Sequence, residues 1–159
     1  STPIGEQIKQ LSKEGKLTPE LKTYLFAADR RLLLDGLGQV GKDDIVIFDR
    51  YVPSAIAYRM ADGVDKDWVK SVNKNFPKHD LGFYIDITPE TSIERNTDQK
   101  FNILYSYEHL NRVRKSYMSI LDEYSLQKID GNKSIDNIFR QIATRINHRL
   151  NEREEEMER

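Results

Sequence analysis

No cysteine occurs in the 159 residues. That excludes a disulfide framework, a thiolate nucleophile and a cysteine-based metal site, and it fits a reducing compartment. Histidine is nearly as scarce: His79, His109 and His148 stand far apart and do not suggest a metal cluster. Charge of one sign is lacking too. Lys+Arg of 25 against Asp+Glu of 26 leaves a formal charge of −1, so no basic field draws nucleic acid or an anionic membrane, and any bound anion must be held locally. Long apolar runs are missing, and Ser1 to Gly5 do not start with charge followed by an apolar stretch. The expectation is a cytoplasmic protein with neither nucleic-acid nor membrane partner. Hydrophobic residues make up 38% of the chain, enough for one core, so a single domain over residues 1–159 is expected.

Helix punctuation is clear at two places. Thr18-Pro19-Glu20 and Thr88-Pro89-Glu90 each supply a capping hydroxyl, a proline at the first helical position and an acid in the first turn. After Thr18, the spacing of Leu21, Leu25, Ala28 and Leu32 predicts the core stripe of a helix reaching about Gly36. Leu110, Val113, Tyr117, Ile120 and Tyr124 repeat the pattern, as do Ile135, Ile138, Ile142, Ile146 and Leu150. Trp68, Val69, Val72 and Phe76 predict a shorter helix. The tail, residues 151–159, is almost wholly charged and is expected to fray.

Other apolar runs are too short for helices. Ile45 to Phe48 and Phe83 to Ile87 are nearly continuous in hydrophobicity, the pattern of parallel strands covered on both faces. Ser125 to Ile129, running into Asp130-Gly131, is a weaker third candidate. Strands alternating with helices predict an α/β sandwich.

In open α/β sheets ligands bind beyond the carboxyl ends of strands. Asp49-Arg50-Tyr51 follows the first candidate strand directly. There Arg50 presents a planar fork matched to phosphate, and Asp49 can hold the fork or accept from magnesium-bound water; a surface ion pair at a strand end is the alternative. Phe26 and Arg30 lie four apart and share a helix face. Phe26 is either the flank of the core stripe or an aromatic platform at a pocket wall.

Five segments then occur in order: Thr2-Pro3-Ile4-Gly5; Leu25-Phe26-Ala27-Ala28-Asp29-Arg30; Gly41-Lys42; Val46 through Asp49-Arg50-Tyr51 to Tyr58; and Tyr84 to Glu90 with Arg95. In this order and spacing the chain resembles the thymidylate kinase family, from Ser1 to about Gly131. The resemblance implies a three-layer, parallel-sheet fold of the P-loop nucleoside monophosphate kinase type. It also implies ATP-dependent phosphorylation of dTMP with Mg2+, and a homodimer formed through helices, for which the Leu21 to Leu32 stripe would serve. By position, Phe26 would stack on thymine and Arg30 contact its carbonyl edge. Arg50 would grip the dTMP phosphate and Asp49 would order the magnesium region through water. Tyr51, Ser54 and Tyr58 would line the deoxyribose and base pocket. Tyr58 is the candidate for excluding a ribose 2′-hydroxyl, or else a buried aromatic beneath the pocket. A lid over about residues 94–104 would bring Arg95 and Lys100 to ATP, with Arg95 assisting catalysis. Arg112, Arg114 and Lys115 are read as the solvated face of the next helix.

One family feature has no counterpart. Gly36-Leu37-Gly38-Gln39-Val40-Gly41-Lys42-Asp43 lacks the spacing and the hydroxyl residue of a phosphate-binding Gly-Lys-Ser/Thr loop, and it is read as a helix end and turn. In the family the donor loop and its strand precede Thr-Pro-Ile-Gly, and that strand lies between those matching Ile45 to Phe48 and Phe83 to Ile87. Without it, these two would have to pair directly or leave backbone groups bare. Besides the kinase reading, a nucleotide-binding remnant and a helical interaction domain stand as alternatives.

Overall fold

The structure is a computed structural model that describes residues 2–41, 44–96 and 106–157. It divides into two compact units, residues 1–77 and 78–159.

The first unit is helical: α1 (Pro3–Lys13), α2 (Pro19–Gly36), α3 (Val52–Ala61) and α4 (Lys66–Asn73). The Thr-Pro punctuation holds. Thr18 Oγ1 accepts from Leu21 N at 3.2 Å, and Thr2 caps the unforeseen α1 in the same way, accepting from Gly5 N at 2.9 Å. Both caps satisfy an amide that the first helical turn leaves without a partner. Helix α2 ends at Gly36 and Gly38 takes φ +67°, so the described start of the glycine-rich stretch is a helix end and turn. Ile56, Ala57 and Val69 are fully buried where α3 and α4 meet.

Two expectations fail here. The core face of α2 carries Thr23 and Ala27, whereas Leu21, Ala28 and Leu32 are exposed. The buried set is two positions out of register with the predicted stripe, about 200° round the helix at 3.6 residues per turn, because α2 presents that opposite face to α1, α3 and α4. Ile45 to Phe48 forms no strand, and Ile47 is 84% exposed. Apolar continuity shows what a strand would bury; the strand itself needs a neighbour to bond, and none pairs with this run among the described residues.

The second unit holds the sheet. Strands β1 (Gly82–Asp86) and β2 (Leu126–Asp130) pair in parallel, with Ile85 opposite Ile129. The described sheet is two-stranded, so the architecture is α/β with a parallel sheet. Helices α5 (Pro89–Arg95) and α6 (Tyr107–Met118) pack together, and α7 (Ile135–Met157) packs on β2. Val113, Ile120 and Ile129 form the core. Thr88 Oγ1 caps α5 by accepting from Thr91 N at 3.3 Å. The last helix runs on into the charged tail as far as Met157, with Arg149 paired to Glu152 and Glu156 at 3.6 Å each. Arg114 is not a solvated bystander either: it bonds both carboxylate oxygens of Asp86. The expected lid falls largely on residues 97–105, outside the described residues.

Candidate nucleotide-binding site

Arg50 stands in the left-handed region, at φ +69°, a conformation that is costly for a residue with a Cβ and concentrates at functional sites. Directly after it α3 begins at Val52, with Tyr51 as an N-cap that supplies no side-chain bond and Pro53 in the first turn. The positive end of the helix dipole is therefore left without an anionic or hydroxyl cap. The Arg50 side chain is exposed, with its guanidinium carbon 5.0 Å from the centre of the half-buried Tyr58 ring. Neither Arg50 nor Asp49 has a hydrogen-bonding or ionic partner among the described residues. The alternative of an Asp49–Arg50 surface pair is thus not realised.

Tyr51 links this element to α2. Its hydroxyl donates to the Pro77 carbonyl at 3.0 Å, and its ring lies 4.9 Å from that of Phe48. The Arg30 guanidinium sits 5.5 Å from the Tyr51 ring and 5.0 Å from the Phe76 ring, within cation–π range of both. Its Nη1 donates to Asn73 Oδ1 at 2.8 Å. Burial makes the Arg30 guanidinium release its proton more readily than usual, opposed by the nearby Tyr51 and Asp29; it remains a cation at any physiological pH. Burial likewise raises the Tyr51 hydroxyl, against the pull of Arg30 and Arg31. Asp29 is engaged separately, by the Thr2 hydroxyl.

Phe26, one turn before Arg30 on α2, is 42% exposed. Its ring is partly open to solvent. Ser54 is 8% exposed, inside the first turn of α3. Phe26, Arg30, Arg50, Tyr51, Ser54 and Tyr58 thus all belong to the first unit, and Tyr51 ties Arg30 to the Arg50 turn. In the second unit, Arg95 donates to the Gly131 carbonyl at 2.7 Å and the Asn132 carbonyl at 3.2 Å, which holds it on the loop after β2. Lys100 lies outside the described residues.

Sequence reasoning missed Asn73. It is one polar residue on a short amphipathic helix, and no local pattern separates it from a solvated position. In the sequence Phe76 belongs to an apolar spacing, and the structure puts it beside Arg30. Among the described residues no group of three or more His, Asp or Glu side chains is placed to hold a metal ion. A lone carboxylate at Asp49 does fit a magnesium ion that arrives on phosphate and keeps most of its water.

Tyr51 thus joins the half-buried Arg30 on α2 to the turn that carries the exposed Arg50 before an uncapped helix start. Guanidiniums of this kind donate to phosphate and carbonyl oxygens. The thymidylate kinase family profile matches residues 1–142. The chain belongs to the thymidylate kinase family. Members are nucleoside monophosphate kinases with the P-loop kinase fold, in agreement with the parallel sheet and its helices. The chain is similar to "Probable thymidylate kinase 1" of Saccharolobus solfataricus, 36% identical over 93% of this chain and 79% of that protein. It is also similar to "Probable thymidylate kinase" of Sulfolobus acidocaldarius, 34% identical over 95% and 79%. "Thymidylate kinase" of Acholeplasma laidlawii is 32% identical over 92% and 80%. No described helix is long and apolar enough to cross a membrane.

Proposed function

We propose that the first unit is the acceptor site of a dTMP kinase, which transfers the γ-phosphate of ATP to dTMP and gives dTDP. The observation that carries this reading is the Arg50 turn: a guanidinium with no anionic partner among the described residues, at a strained backbone position before an uncapped helix. Arg50 grips the dTMP phosphate, Phe26 stacks on thymine, and Arg30 donates to the base carbonyl. Tyr51 and Tyr58 brace the two guanidiniums, while Ser54 lies beneath the same wall. Asp49 would hold a magnesium ion through its hydration water, and the ion would supply charge neutralisation on the transferred phosphoryl group. Arg95, with Lys100, serves the ATP side.

Dimerisation belongs to the same reading. Leu21, Leu32 and Leu33 on α2 are exposed, and Leu21 and Leu32 belong to the stripe that the sequence marks as apolar, so a second copy would cover what the unit itself leaves open.

A second reading is a nucleotide-binding role that holds dTMP without transferring phosphate to it. Titration calorimetry with dTMP, then with ATP, followed by a coupled turnover assay, distinguishes the two. Saturable dTMP binding with turnover supports the kinase, dTMP binding with neither ATP binding nor turnover supports the holding role, and no dTMP binding rejects both.

A further inference from the structure

We infer that Asn73 is a positioning residue that sets base selectivity, by fixing Arg30 as a donor aimed at a 4-keto pyrimidine and against a 4-amino one. The inference rests on the proposed dTMP site and names a residue outside the set assigned to it. Asn73 is 4% exposed. Its Nδ2 donates to the Val69 carbonyl one turn earlier on α4, at 2.8 Å, and its Oδ1 accepts from Arg30 Nη1, also at 2.8 Å. Only one orientation of the amide serves both partners. A flip would set an NH2 against the guanidinium and an oxygen against a carbonyl. The helix backbone therefore dictates which end of the amide meets Arg30. Phe76 and Tyr51 hold the guanidinium by its π contacts, so it keeps its plane without a carboxylate being needed.

A guanidinium so held can only donate. Opposite the 4-position of thymine or uracil it finds a carbonyl oxygen. Opposite cytosine it meets an amino group, and two sets of N–H face each other in a partly buried site, where an unmatched donor is heavily penalised. The penalty persists only while Arg30 cannot swing aside, and Asn73 is what prevents that.

The test compares dTMP with dCMP affinity by calorimetry in the unmodified chain, in Asn73→Leu, in Asn73→Asp and in Phe76→Leu. Loss of the acceptor in Asn73→Leu is expected to reduce the dTMP-to-dCMP affinity ratio about tenfold or more, the scale of one hydrogen bond to a charged group. Asn73→Asp, which keeps an oxygen towards Arg30, is expected to retain most of the ratio. Phe76→Leu, which leaves the amide intact and removes one π contact, is expected to lower it in part. A ratio is independent of the folded fraction, so a purely structural role for Asn73 would leave it unmoved. If Asn73→Leu does not fold, Phe76→Leu decides by the same ratio. An unchanged ratio in folded Asn73→Leu, or in Phe76→Leu where that variant does not fold, overturns the role of Asn73 while the dTMP site stands. Failure of the unmodified chain to bind dTMP overturns the site and the inference together.

Discussion

Arg114 on α6 forks onto Asp86 at the end of β1, with Nε donating to Oδ1 at 2.6 Å and Nη2 to Oδ2 at 3.0 Å. Tyr84 adds a hydroxyl at 3.3 Å and Lys128 an ammonium at 3.9 Å. The Arg114 bond is the main reason the Asp86 carboxyl sits below the usual carboxylate range, and burial opposes it. The same carboxylate, with burial as the larger cause, pushes the Tyr84 hydroxyl well above its ordinary value.

The sign of the acid response follows. A carboxyl with a depressed folded-state pKa contributes stability that is complete above the unfolded value, about 3.9. It is lost as the pH falls from there through the lower folded value. Asp86→Asn is therefore expected to destabilise the chain at pH 7 and to narrow its difference from the unmodified protein below about pH 4. Arg114 keeps 36% of its side-chain surface in solvent, so screening holds the loss to about 1–2 kcal/mol, short of the value for a fully buried pair. Urea melts at pH 7 and pH 3 measure both differences; equal losses at the two pH values would remove the ionic contribution.

The resemblance and the local signals were legible for different reasons. Thr-Pro caps act within four residues, so α2 and α5 start where the sequence placed them. Phe83 to Ile87 forms β1 because β2, itself visible at Ser125 to Ile129, lies beside it in register. Ile45 to Phe48 is a comparable apolar run, and no strand pairs with it among the described residues. The stripe on α2 misled because an apolar row marks a surface to be covered without saying by what. Asn73 was illegible because its role depends on Arg30, 43 positions away.

That stripe carries the second prediction. Leu32→Glu places a charge on the exposed apolar face of α2 while leaving Thr23 and Ala27 untouched. Light scattering after size exclusion is expected to report a dimer for the unmodified chain and a monomer for the variant, with little change in helix content. A monomer in both would dismiss this face as an interface.

Gly131 yields a third. Its amide donates to the Asp86 carbonyl at 2.8 Å, and a Cβ there would stand 2.7 Å from Ile85 Cγ2 and 3.0 Å from that same carbonyl oxygen. At Gly82 the crowding atoms belong to the side chains of His79 and Leu126, which can turn away. Gly131→Ala is expected to destabilise by about 1–3 kcal/mol, the range for overpacking, and by more than Gly82→Ala. Thermal melts of the two variants rank them, and the reverse order would show that the β1 end yields more easily than its backbone contact implies.

Arg50 separates stability from binding. Its φ of +69° is open to glycine at little cost and disfavours any residue with a Cβ by about 1–2 kcal/mol. Among the described residues the exposed side chain contributes only a ring contact with Tyr58 in return. Arg50→Gly is therefore expected to raise the melting temperature by about 2–4 °C, the shift that ~1 kcal/mol gives in a chain of this size. Arg50→Ala, which keeps the strain, is expected to gain nothing. Both remove the charge-assisted fork on the phosphate and should weaken dTMP binding about 10- to 100-fold, as expected for hydrogen bonds to charged groups. A more stable protein that binds less would mean that this turn is kept strained for its ligand. If Arg50→Gly is no more stable, or either variant binds dTMP as before, the guanidinium is not held there for a phosphate.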